Sequence, residues 1–199
     1  MNLLASALQA VGLFLATNID DIIVLSLFFA RGSGVRGTTR SILLGQYLGF
    51  GAILAASVLV AVGATTFLPD EAIAYFGLIL LLLGVYAAWR AWRGREDDDE
   101  QKTAGKKVAV STVAAVTFAN GGDNIGVYVP VFVTVGLPAV VAYSIVFLAL
   151  VSVLVVTARY VATRKAIAEV LERWEHVLFP IVLIGLGVFI LVEGGAFGL

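Results

Sequence analysis

Ala16-Thr17-Asn18-Ile19-Asp20-Asp21 stands in the middle of an apolar run covering 3–30. Ala119-Asn120-Gly121-Gly122-Asp123-Asn124 stands in the middle of a second, covering 108–134. Each run is long enough to cross a bilayer, which takes roughly 20 apolar residues. Each is also interrupted where the hydrocarbon would be thickest. An Asp at the centre of a membrane helix costs about 2.5–3.5 kcal/mol on insertion scales. Three such residues must therefore face protein or water rather than lipid.

The rest of the chain agrees with a membrane origin. Of 199 residues, 60% are hydrophobic and 14% charged, with mean hydropathy +1.01. A soluble domain carries about 25% charged residues. Six apolar stretches, near 3–30, 41–63, 72–92, 108–134, 139–160 and 176–193, take up nearly everything. The sequence thus predicts an all-α polytopic membrane protein with six transmembrane helices and a single transmembrane domain over 1–199. The first basic residue is Arg31, so the N-terminal run lacks the charged start of a signal peptide and reads as a retained span. The absence of cysteine excludes disulfides, thiolate metal ligands and thiol nucleophiles.

Basic residues set the orientation. Arg31, Arg36 and Arg40 follow the first span. Arg90, Arg93, Arg95, Lys102, Lys106 and Lys107 follow the third, and Arg159, Arg164, Lys165 and Arg173 the fifth. These are all 13 Lys and Arg, and each lies in an odd-numbered loop. Those loops are predicted to be cytoplasmic and both termini extracytoplasmic. Glu96-Asp97-Asp98-Asp99-Glu100 in the central loop reads as a solvated linker. Apolar residues at Ile167, Val170, Leu171 and Trp174 recur at helical spacing among charges, the pattern of an amphipathic helix at the inner membrane surface.

The two halves align at a constant offset of 103 residues, the separation of Asp20 and Asp123. Ala16, Asp21, Ile22 and Val24 then fall on Ala119, Asn124, Ile125 and Val127. Leu80, Gly84 and Val85 fall on Leu183, Gly187 and Val188. Repeat one is 1–93, a cytoplasmic linker covers 94–107, and repeat two is 108–199. Three spans per half force the second half to enter from the opposite side, giving two inverted three-helix repeats. In transporters built this way, substrate sites lie near the midplane between discontinuous helices.

Neighbouring residues on an α-helix point about 100° apart, from 3.6 residues per turn. Asp20 and Asp21 can share one cavity only if the helix is distorted there. Asn18 in one half and Gly121-Gly122 in the other suit such a break, so helices 1 and 4 are predicted to be broken near mid-membrane. Unwound backbone is tolerated at that depth where it lines a cavity. The candidate ligands are Thr17, Asn18, Asp20, Asp21, Asn120, Asp123 and Asn124, with Gln46 in the second span a weaker one. The competing reading makes these side chains interhelical glue, but three carboxylates exceed what packing needs. Carboxylate, amide and carbonyl oxygens suit a divalent cation. Three Asp in a low-dielectric place hold either a cation or a proton, which supplies a cycle of metal against protons. Asp20 and Asp123 are expected to oppose each other, with Asp21 carrying a proton. Glu193 and His176 lie near span ends and do not read as ligands, while Pro180 reads as a kink.

Two Asp on different membrane helices also occur in intramembrane aspartyl proteases, which use Gly-x-Gly-Asp and Tyr-Asp. Here Asn120 replaces the first glycine and Ile19 precedes Asp20. The repeat has no explanation in that reading, and no enzyme is expected. No nucleotide-binding loop is present, which argues against ATP-driven transport.

At these motifs the sequence resembles the cadmium-resistance transporter family, a branch of the LysE exporter superfamily. The resemblance rests on 16–21, on 118–126, and on Gly45-Gln46-Tyr47-Leu48-Gly49-Phe50. It implies a bacterial plasma-membrane protein expelling Cd²⁺ or a related divalent ion. Cadmium favours soft ligands, whereas these carboxylates suit Mn²⁺, Zn²⁺ or Ca²⁺ at least as well. The alternative within the superfamily is export of an amino acid or other organic cation. An amino acid's own carboxylate would meet three Asp with no intramembrane Lys or Arg to offset it. The expected partners are the metal as substrate and the lipid bilayer, with no cofactor and no nucleic acid. Gly-rich spans suit either a homodimer or packing within one chain.

Overall fold

Asn18 ends one helix and begins another. In a computed structural model, residues 3–68, 75–93, 107–164, 180–181, 184–185 and 187–192 are described. Helices α1 (Leu3–Thr17) and α2 (Ile19–Arg31) meet there at 56°. Local chemistry explains the break. The Thr17 hydroxyl donates to the Leu13 carbonyl at 3.0 Å, and Asn18 Nδ2 donates to the Phe14 carbonyl at 2.8 Å. The Asn18 side chain thus takes the Phe14 carbonyl that a continuing ladder would have used.

The second half repeats the pattern. Helices α5 (Val110–Asn120) and α6 (Gly122–Val135) are separated by Gly121 alone. A Cβ at Gly121 would collide with the side chain of Ile53, so this break is also a close approach. Between the breaks lie α3 (Thr38–Phe67) and α4 (Phe76–Arg93), and α7 (Leu137–Val161) follows them. Gly37 enters α3 with φ 85°, a conformation that side chains with a Cβ avoid. Pro138 opens α7, where its missing N–H costs nothing.

All the described elements are helical. By length and composition α3 and α7 can cross a membrane, and the bent α1–α2 pair adds a third crossing if it forms one span. Helix α4 lies where the sequence predicts the third span, and the α5–α6 pair covers the fourth. The acidic run 96–100, the amphipathic stretch 164–174 beyond Arg164, His176 and Glu193 lie outside the described residues, as does part of the sixth span.

Packing crosses between the halves. Helix α3 lies chiefly against α5 and α6, whereas α7 lies against α1 and α2. Gly45 and Gly49 let α3 approach α5 closely: a Cβ at Gly49 would stand 2.7 Å from the Ala114 carbonyl oxygen. Small residues four apart are a common means of such contact in membranes. Where the long helices meet, Phe14, Phe50, Tyr128, Phe132, Tyr143 and Phe147 form one aromatic cluster. The outer faces remain apolar, with Leu59 73% and Val156 69% exposed. A soluble protein would not leave such surface contiguous on long helices.

Candidate functional site

The break at Asn18 puts Asp20 and Asp21 in the first turn of α2. That position favours two negative charges, because free N–H groups and the helix dipole present positive charge there. Asp21 is buried at 3% exposure and Asp20 is half-buried. Though neighbours in sequence, both reach one donor. Asn120 Nδ2, from the end of α5, lies 2.6 Å from Asp20 Oδ2 and 3.2 Å from Asp21 Oδ1. The two helix breaks therefore do meet, with an amide from one half facing carboxylates of the other.

Gln46 approaches Asp21 from α3. Its Nε2 donates to Asp21 Oδ2 at 3.2 Å, and its Oε1 accepts from the Thr117 hydroxyl at 2.6 Å. Ionised carboxylates only accept, so both amides turn their NH₂ groups toward Asp21. In this arrangement Gln46 and Asn120 act as donors and not as the oxygen ligands expected from sequence.

A second cluster secures the bend. The Tyr128 hydroxyl lies 2.8 Å from Thr17 Oγ1, and Asn18 Nδ2 donates to it at 3.1 Å. Thr17, Asn18 and Tyr128 are all buried. Thr17 and Asn18 thus hold the end of α1 rather than meeting the carboxylates. Asn18 Oδ1 is the single buried side-chain polar atom without a partner among the described residues. Tyr128→Phe removes the shared hydroxyl and is expected to lower stability by about 1–2 kcal/mol. A thermal unfolding midpoint equal to that of the wild type would show that the hydroxyl does not hold the bend.

The second half contributes less directly. Asn124 is buried at the start of α6, and Asp123 beside it is left exposed by the described residues. Among the described residues, no three acidic, His or Cys side chains are grouped to hold one metal ion. From this half, the side chain that hydrogen-bonds Asp20 is that of Asn120.

Thr117 and Tyr128 are not among the residues that the sequence singles out. A lone Thr or Tyr in an apolar span looks like packing. The offset of 103 carries a signal, however, since Thr117, Tyr128 and Gln46 fall on Phe14, Leu25 and Ala149. A polar residue in one half paired with an apolar one in the other marks a place where the site departs from symmetry.

A family model described as cadmium resistance transporter matches residues 14–199. No curated protein and no solved structure matches the chain. The chain belongs to the cadmium resistance transporter family, and its apolar helices are those of a membrane protein.

Proposed function

We propose that this member of the cadmium resistance transporter family is a secondary transporter exporting a divalent cation from the cytoplasm in exchange for protons. The cation is Cd²⁺ or a relative such as Zn²⁺ or Mn²⁺. The observation that carries the reading is the pair Asp20 and Asp21, set at a helix break and facing one amide of the other half, Asn120. Two adjacent carboxylates, one of them buried, form a strong attractor for a hard or borderline cation. With the cation gone, a proton can take its place. Asp123, Asn124, Asn18, Asn120 and Thr17 complete the polar surroundings on both sides of the break.

The architecture belongs to the same proposal. Asn18 and Gly121, the two break residues, stand at the offset of 103 that relates the halves. The helix after each break packs mainly on the other half's broken pair, α3 on α5–α6 and α7 on α1–α2. This exchange supports six spans in two inverted repeats, with the site between them near the midplane. The distribution of Lys and Arg supports extracytoplasmic termini in a bacterial plasma membrane.

Everted vesicles test the cycle. With an acid interior, they are expected to accumulate Cd²⁺, Zn²⁺ or Mn²⁺ and to release it when the pH gradient is collapsed. Accumulation that ignores the gradient overturns proton coupling. Uptake of lysine with no uptake of any divalent ion would favour the organic-cation exporter instead.

A further inference from the structure

Gln46 is the deepest polar group of the site, fully buried, with a partner at each end of its amide. An ionised Asp21 only accepts, so Nε2 turns to its Oδ2 at 3.2 Å. That leaves Oε1 for Thr117, whose hydroxyl donates to it at 2.6 Å and holds the amide in that direction. Thr117 itself is pinned, because α5 lies against the glycine face of α3. The position of a Cβ at Gly49 is 2.7 Å from Thr117 Cβ. Thr117 is 2% exposed, so no bulk water competes for its hydroxyl.

We infer that Thr117 and Gln46 form a donor lock on Asp21: Thr117 is a positioning residue that holds Gln46 as a competitor of the transported cation and not as its ligand. This rests on the reading of Asp20 and Asp21 as the cation site. An N–H donor at Asp21 Oδ2 offers the positive end of a dipole where the ion would bring its charge. Each loading event must displace it, and each release is helped by its return. The lock lowers affinity, which suits a protein that must let its ion go.

The sign of one measurement decides between competitor and ligand. Mn²⁺ binding is measured on purified protein by isothermal titration for the wild type, Gln46→Met, Thr117→Val and Thr117→Ser. Removing a donor from a charged oxygen frees that oxygen for the ion, so Gln46→Met is expected to bind Mn²⁺ about tenfold more tightly. Thr117→Val frees the amide to turn its oxygen toward the ion and is expected to tighten binding in the same direction. Thr117→Ser keeps the hydroxyl and returns the wild-type affinity. Weaker binding by Gln46→Met makes Gln46 a ligand and overturns the lock.

A second readout needs no metal. In the ion-free protein, the side-chain NH₂ resonances of ¹⁵N-labelled Gln46 are expected to shift in both Asp21→Asn and Thr117→Val, but not in Thr117→Ser. Resonances that ignore Thr117→Val overturn the lock, whatever the protein binds. Absence of saturable Mn²⁺ binding by the wild type, alongside the expected resonance shifts, overturns the cation site and leaves the lock standing as a feature of Asp21.

Discussion

Asp21→Asn is expected to abolish metal transport while leaving the protein at least as stable as before. The carboxylate is buried and accepts from Asn120 and Gln46. Asn has the same shape without the charge, and its NH₂ can meet Gln46 once that amide turns over and Thr117 accepts in place of donating. At an effective dielectric constant near 20, two unit charges 4 Å apart attract by about 4 kcal/mol, and a divalent ion doubles this. Even a third of that sum weakens binding roughly hundredfold. Stability should move the other way, since a buried ion carries a desolvation cost of several kcal/mol that neutralisation removes. Isothermal titration of Mn²⁺ and a thermal unfolding curve on the same preparation check both halves. A variant that still transports, or one that loses function only because it unfolds, would show that Asp21 serves packing.

Gly49→Val is expected to be the most damaging change away from the carboxylates. The first added carbon would meet the Ala114 carbonyl oxygen and Thr117 Cβ, each at 2.7 Å. Both belong to α5, so the helix must move off α3. Overpacking of this kind costs about 1–3 kcal/mol, and the displacement would also withdraw Thr117 from Gln46. At Gly51, two residues on, an added Cβ would have nothing within 4 Å among the described residues. Gly51→Ala is the matched control and is expected to leave the unfolding midpoint in place. Equal midpoints for Gly49→Val and Gly51→Ala would contradict the close approach of α3 and α5.

The breaks are legible in the sequence because polar residues inside apolar runs have few explanations. Asn18 and Gly121-Gly122 read as distortions, and the helices end at Thr17 and Asn120. Asp20 and Asp21 are legible for the same reason. What they face is not. Repeat symmetry suggests Asp123 opposite Asp20; the group that hydrogen-bonds Asp20 is Asn120, at the end of α5 and not the start of α6. A helix break reorients its last residue and its next turn separately, and spacing alone does not say which will meet the other half. Gln46 is recognisable as a polar group inside a span, yet its direction depends on Thr117, a contact across 71 positions. Donor and acceptor roles of an amide come from its partners, and those partners are set by how two glycines let α3 approach α5.

Mn²⁺ binding followed by electron paramagnetic resonance tests the central claim most directly, because free Mn²⁺ gives the signal and bound Mn²⁺ loses it. Purified wild type is expected to quench the free-ion signal saturably and to return it on addition of Cd²⁺ or Zn²⁺. The double variant Asp20→Asn with Asp21→Asn, folded by its thermal unfolding curve, is expected to leave the free signal untouched. Quenching by the folded double variant at wild-type affinity would place the cation elsewhere and contradict the account.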